Sequence, residues 1–294
     1  EKNMLSYITW TANPILFDGF VTVRWYGLMF VIGFLIGYEI VSRMFKHEGM
    51  PEKWVGSLFI YVVAATIVGA RLGHVFFYNW EYYSQHLDEI LSVWEGGLAS
   101  HGGTLGIILA VWLYSKVVTR KPILWTLDRL VVPVGLVAAL IRTGNLLNHE
   151  IYGGETTLPW GFRFIGNIGA YMHGYDPVFT NPCHPTQIYE ALCYLATFAL
   201  CMWLYWRRNA QEREGLLFGI FMIGIFASRF FIEYIKCVQE PWELEMRAAW
   251  GIDQGQLLSI PFVVIGVWLV VRAMRRPRVA LTYPNRFPDE KKSR

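Results

Sequence analysis

Charge is what this sequence has least of: only 17% of its 294 residues are Asp, Glu, Lys or Arg, while 54% are hydrophobic. That balance excludes an ordinary soluble domain, in which about a quarter of residues are charged. The 26 Lys and Arg against 23 Asp and Glu form no basic run on a soluble surface, so a phosphate-tracking nucleic-acid partner is excluded as well. The four cysteines, Cys183, Cys193, Cys201 and Cys237, lack paired C-x-x-C spacing and read as small buried hydrophobes. His149, His173 and His184 lack metal-ligand spacing, which argues against zinc. Nucleophile elbow, phosphate loop and dinucleotide fingerprint are all missing. The opening "EKNMLSYITWTANPILF" has no basic region followed by a continuous apolar core, so no cleavable signal peptide is expected, and the first few residues are given no weight. Neither a repeat of one half in the other nor a low-complexity tract is found.

What the chain has instead is apolar runs near the length of a bilayer crossing, at roughly 21–41, 54–75, 103–119, 124–147, 187–206, 215–235 and 256–273. They predict an all-α polytopic membrane protein of about seven transmembrane helices, read as one integral membrane domain over 1–294. Basic residues gather after the odd-numbered runs: Arg43 and Lys46; Lys116, Arg120 and Lys121; Arg207, Arg208 and Arg213; Arg272, Arg275, Arg276 and Arg278. The positive-inside rule then puts the amino terminus outside and the carboxyl terminus in the cytoplasm. Trp25, Tyr26, Tyr78, Trp80, Tyr82, Tyr83 and Trp160 crowd the outer joins as an interfacial belt. Two outer connections, about 76–102 and 148–186, are long enough to fold. The second, rich in Gly, Pro and Asn, is expected to form a small periplasmic cap, and about 279–294 a short cytoplasmic tail.

Polar residues at membrane depth carry the functional signal. "AALIRTGNLLNHEIYGG" closes the fourth run with Arg142 and Asn145 one helical turn apart on one face, followed by Asn148 and Glu150. An ionisable group at that depth needs a partner, water or a ligand, so a functional site is the default reading, although an arginine near a helix end also snorkels. "ASRFFIEYIK" places Arg229 and Glu233 at i, i+4, as an intrahelical ion pair or part of a site. "LASHGGTLG" puts His101 ahead of two glycines at the start of the third run; histidine is the side chain best suited to move a proton near neutral pH. Three segments thus deliver Arg142, Arg229 and His101 to one level of the membrane. Guanidinium forks bind phosphate bidentately, and the abundant phosphate at an outer leaflet is a phospholipid headgroup. In "GARLGHVFFYNW", Arg71, His74, Tyr78 and Asn79 are read as packing and belt residues. In "HPTQIYE", His184 and Pro185 are read as a helix start, with Gln187 and Glu190 free to face the bundle. A transporter would also place ionisable groups in the membrane, but these cluster at one surface and no internal repeat accompanies them. A scaffold that used them to join helices stays open.

The ordered set "RWYGLMFVIGF", "GARLGHVFFYN", "EGGLASHGG", "RTGNLLNHEIYG", "HPTQIYE", "SRFFIEY" and "GQLLSIPF" resembles the prolipoprotein diacylglyceryl transferases of the bacterial cytoplasmic membrane over nearly the whole chain. The resemblance implies transfer of the diacylglyceryl group of phosphatidylglycerol to the thiol of a lipobox cysteine in a prolipoprotein signal peptide, forming a thioether and releasing glycerol 1-phosphate. It implies no metal or organic cofactor. It implies catalytic roles for His101, Arg142 and Arg229 and substrate binding by Tyr26, Asn145, Asn148, Glu150, Gly153 and Glu233. Departures from the family pattern stand at Ile141, Leu146, Gly154 and Ile225.

Overall fold

The computed structural model describes residues 7–19, 22–92, 97, 99–237 and 241–279. Its helices are α1 (Trp25–His47), α2 (Glu52–Tyr78), α3 (Trp80–Tyr83), α4 (Ser100–Tyr114), α5 (Ile123–Leu147), α6 (Ile168–Met172), α7 (Thr186–Arg208), α8 (Leu216–Glu233), α9 (Pro241–Trp250) and α10 (Gln254–Arg275). A π-helical turn, Ser115–Thr119, prolongs α4. Seven of these helices, α4 with its π-turn among them, are long and apolar enough to cross a membrane, so the chain is a multi-pass membrane protein; each expected run corresponds to one of them, the first being helical only from Trp25, after strand residues Val23–Arg24. Large apolar side chains on them, such as Leu35, Ile60, Leu105, Val264 and Trp268, stay exposed, as a lipid-facing surface requires.

Local sequence explains where the helices turn. After α1, Gly49 takes φ +67° and donates to the Lys46 carbonyl at 3.1 Å, closing the helix end, and Pro51 stands at the N-cap of α2. Asn209 (φ +50°) and Gly215 (φ +89°) bound the turn between α7 and α8. Asp253 caps α10: its side chain accepts from Gln256 N at 2.9 Å while Gln256 Oε1 accepts from Asp253 N at 3.1 Å.

The described chain divides into two compact units. The first comprises residues up to Gly37 and Val131–Arg278; the second is built on Tyr38–Leu130. In the first unit, glycines let helices approach closely. A Cβ on Gly219 of α8 would lie 2.8 Å from the Gly266 carbonyl of α10, and one on Gly266 would lie 2.9 Å from the Gly219 carbonyl. The loop-rich cap of this unit has a core of Leu146, Phe162, Phe164 and Cys183, with Trp10, Tyr152 and Ile188 packed on it. The chain ahead of α1, for which the sequence suggests no element, contributes to the cap. There β1 (Ile8–Thr9) pairs in parallel with β4 (Phe162–Arg163), β2 (Ile15–Phe17) pairs antiparallel with β3 (Val23–Arg24), and Trp10 Nε1 donates at 3.0 Å to the Leu146 carbonyl, which also accepts from His149 N at 3.2 Å. These short strands are the exception to an otherwise all-α fold.

In the second unit α2 and α4 cross on bare backbone, a Cβ on Gly73 falling 2.7 Å from Gly102 Cα. Val41, Phe45, Val55, Leu58, Tyr114 and Trp125 form its core. Arg129 makes three hydrogen bonds of 2.8–3.0 Å to both carboxylate oxygens of Glu48, donates to the Trp125 carbonyl and stacks 4.1 Å over the Trp125 ring. Arg71, 2% exposed, donates to the Glu89 and Ile90 carbonyls at 2.7 and 2.8 Å and stacks over Tyr83, the packing role expected of it. Of the four cysteines, Cys183 and Cys201 are buried as expected. Cys193 is half-buried and Cys237 exposed, because Cys237 lies beyond the end of α8 rather than inside an apolar run. Most of the expected tail, 280–294, lies outside the described residues, as do Glu95, Gly96 and Leu98 of "EGGLASHGG".

Candidate active site

Most of the residues singled out by depth and charge meet in the first unit, at the end of α5 and the facing ends of α7 and α8. Arg142 Nη1 donates to Asn145 Oδ1 at 3.2 Å, as their one-turn spacing requires. Asn145 Nδ2 in turn donates to Glu150 Oε1 at 2.8 Å, and Asn148 Nδ2 reaches the same oxygen at 3.3 Å. Glu150 is turned back onto the helix by an unusual backbone: its neighbours His149 (φ +56°) and Ile151 (φ +61°) are both left-handed, a costly conformation for a β-branched residue. The start of α7 holds that turn, with Thr186 Oγ1 donating to the Ile151 carbonyl at 2.9 Å and Gln187 Nε2 to the Glu150 carbonyl at 2.7 Å. Tyr26 packs its ring against the bare face of Gly144, 2.8 Å from where a Cβ would stand, and its hydroxyl faces Asn145.

The two arginines are joined by carboxylates. Arg142 pairs through Nε with Glu190, whose side chain is fully buried. Glu190 Oε1 also pairs with Lys236 Nζ at 2.7 Å, and Lys236 reaches Glu233 Oε2 at 3.3 Å. Glu233 lies 3.9 Å from Arg229 Nε. Arg142, Glu190, Lys236, Glu233 and Arg229 therefore form a line of alternating charges across α5, α7, α8 and the turn after α8. Buried Tyr194 hydrogen-bonds Arg142 and feels the charges of Glu190 and Arg229. From Glu190 toward α8 exposure rises, from 0% at Glu190 and 5% at Lys236 to 40% at Arg229, so that end carries an open guanidinium, while Arg142 at the other end is 14% exposed.

Glu190, Tyr194 and Lys236 were not among the sequence-derived site residues. Glu190 had a signal, being the lone acidic residue in the run 187–206, and the criterion that found Arg142 applies to it equally. Lys236 stands one turn after Glu233. Gly153 is placed differently from the polar side chains around it: a Cβ there would meet the Ile235 carbonyl at 2.6 Å, Thr186 Cγ2 at 2.7 Å and His184 Cβ at 2.8 Å. Its bare face is filled by protein, and its N–H donates to the His184 carbonyl at 2.8 Å. His101 lies in the second unit, exposed in the first turn of α4.

Beside the cluster, His149 is structural. Ile165 N donates to its Nδ1 at 3.1 Å, which leaves the proton on Nε2, 2.8 Å from the Ala12 carbonyl that accepts it. Burial pushes the His149 pKa below the ordinary histidine value, against the opposing pull of the Ala12 carbonyl. Burial also pushes the Cys183 thiol up, which keeps it protonated and poor as a nucleophile near neutral pH. What the cluster offers chemically is electrostatic: Arg142 paired with the buried Glu190 and Arg229 loosely paired with the half-buried Glu233, with a rim of amides and hydroxyls.

Residues 14–272 match the family model described as prolipoprotein diacylglyceryl transferase. The chain is 58% identical over 275 residues to the phosphatidylglycerol--prolipoprotein diacylglyceryl transferase of Porphyromonas gingivalis, covering 92% of this chain and 96% of that one. Proteins of the same name from Chloroherpeton thalassium (40% identity, 94% and 98% covered) and Tolumonas auensis (42%, 89% and 96%) are similar along nearly their full lengths.

Proposed function

The chain belongs to the prolipoprotein diacylglyceryl transferase family, and on that premise we propose that it transfers the diacylglyceryl group of phosphatidylglycerol to the lipobox cysteine of a prolipoprotein. The line of alternating charges from Arg142 to Arg229 is the observation that carries the reading. It holds two guanidinium groups, each beside a carboxylate, and guanidinium forks suit a phosphodiester, which supports the reading.

The reaction forms a carbon–sulfur bond and breaks a carbon–oxygen bond. The cysteine sulfur attacks the glycerol carbon bearing the phosphate, the electron pair leaves on the phosphate oxygen, and glycerol 1-phosphate is released. The attacking species is the thiolate, so the thiol proton must go to an acceptor. His101 has the chemistry for that role. Arg142 and Arg229 bind the phosphate and stabilise the charge that grows on the leaving oxygen. Asn145, Asn148 and Glu150 hold Arg142 or meet headgroup hydroxyls, Tyr26 anchors lipid or peptide, Glu233 orients Arg229, and Gly153 keeps the turn after Glu150 close to α7 and the end of α8. These roles belong to one membrane domain spanning the chain, with the amino terminus and cap on the periplasmic side of the bacterial inner membrane and the carboxyl terminus in the cytoplasm.

The test is a mass spectrum of a synthetic lipobox peptide incubated with the purified protein and phosphatidylglycerol. The expected product gains one diacylglyceryl unit on cysteine, with glycerol 1-phosphate released and no adduct on a Cys→Ser peptide. No adduct from folded protein would overturn the reading. His101→Gln in the same assay should bind lipid normally but transfer slowly; an unchanged rate would remove His101 from the proton step.

A further inference from the structure

The motif "GQLLSIPF" has no role in the chemistry above, yet its first residue touches the line of charges. A Cβ built on Gly255 would fall 2.6 Å from Cδ of Glu233 and 2.8 and 2.9 Å from its two carboxylate oxygens. No real Cβ occupies such a distance, so the Glu233 carboxylate sits in space that only glycine leaves open. Gly255 is in the first turn of α10, where the positive end of the helix dipole faces a carboxylate favourably.

The seat is fixed by ties independent of Glu233's own side chain. Arg247 Nη2 donates to Asp253 Oδ2 at 2.6 Å and reaches the Glu233 carbonyl at 3.3 Å, joining the cap of α10 to the end of α8. Gln256 Nε2 donates to the Phe230 carbonyl at 3.2 Å, one turn earlier in α8. Farther along the same two helices, Gly219 and Gly266 are in close backbone contact. With both backbones held, a side chain at position 255 displaces the carboxylate rather than the helix.

We infer that Gly255 is a positioning residue for the transferase reaction: its bare α-carbon is the seat that aims the Glu233 carboxylate at Arg229 and Lys236. The inference rests on the reading of Arg229 as a phosphate ligand. Gly255 has no left-handed backbone to explain the glycine, and alanine is the better helix former at an α-helical position. A purely structural account therefore expects Gly255→Ala to be neutral or stabilising. The seat account expects a functional loss that depends on the length of the side chain at 233.

The experiment measures transfer to a lipobox peptide and the thermal midpoint in detergent for wild type, Gly255→Ala, Glu233→Asp and the double variant. Wild-type transfer is the first arm; if it is absent, the functional reading itself fails and the cause is not Gly255. Given wild-type transfer, Gly255→Ala should lose about tenfold or more in kcat/KM with its midpoint maintained. Glu233→Asp alone should also be impaired, because the shortened acid no longer reaches its partners. In the double variant the shorter acid makes room for the new methyl, so its rate should exceed that of Gly255→Ala. Full activity in Gly255→Ala, or a double variant whose losses simply multiply, would overturn the inference. Should Gly255→Ala fail to fold, adding Glu233→Ala must restore folded protein; failure to restore it would show that the methyl clashes with something other than the carboxylate, and would overturn the inference equally.

Discussion

Each unit holds a fully buried glutamate paired with an arginine, Glu48 with Arg129 in the second and Glu190 with Arg142 in the first, and the two arrangements solve the same electrostatic problem in opposite ways. In the second unit, Glu48 and Arg129 are 1% and 0% exposed and satisfy one another; the guanidinium uses its remaining reach on the Trp125 carbonyl and ring. Both side chains are enclosed by the fold. In the first unit, Glu190 is equally buried, but it is shared between Arg142 and Lys236, and the line it starts ends at an Arg229 that is 40% exposed and only loosely paired, 3.9 Å from Glu233. A closed pair spends its charges on the fold. An open line keeps donors in reserve while fixing where they point, which is what electrostatic catalysis requires of a preorganised site.

The contrast can be broken at either end. Arg129→Ala should have the largest effect on stability, about 3–5 kcal/mol, because it removes the guanidinium from which both oxygens of the buried Glu48 carboxylate accept. The loss should be read as a drop in folded, monodisperse protein, with specific activity per folded molecule unchanged. Glu190→Gln should come next, costing about 2 kcal/mol of transition-state stabilisation, roughly thirtyfold in kcat/KM, since Arg142 and Lys236 would lose their shared counter-ion. Initial-rate kinetics on folded protein check this, and an unchanged rate would reduce the line of charges to helix glue. The smallest effect concerns His149, outside both pairs. Its folded pKa lies below the unfolded value, so the unfolded chain binds the extra proton more readily. The stability contributed by the neutral ring is therefore complete above about pH 6.5 and declines as the pH falls through that value toward the lowered folded pKa. The thermal midpoint should fall between about pH 7.5 and pH 5, and His149→Asn should flatten that fall; equal slopes would show that the ring titrates alike in both states.

The comparison also shows what could be read without coordinates. Isolated charges in apolar runs are conspicuous because the membrane penalises them, so Arg142, Arg229 and Glu233 stood out, and Glu190 satisfied the same criterion. Helix positions were legible because each crossing needs its own apolar length. The glycines were not. Gly153 is picked out as a site residue only by the family resemblance and Gly255 not at all, until the Ile235 carbonyl and the Glu233 carboxylate arrive to fill the missing Cβ of each. Nor was the part played by Trp10 and β1 in the cap, since two-residue strands carry no periodicity of their own.

The most direct measurement crosses the two regions with one chemical change: Arg142→Lys and Arg129→Lys, compared by single-turnover transfer rate and by thermal midpoint. Lysine keeps the charge and loses the fork. The expected result is a rate loss of about a hundredfold for Arg142→Lys at a near-normal midpoint, and a lowered midpoint for Arg129→Lys at a near-normal rate per folded molecule. Near-normal transfer by folded Arg142→Lys protein would contradict the assignment of the open line of charges to the phosphate.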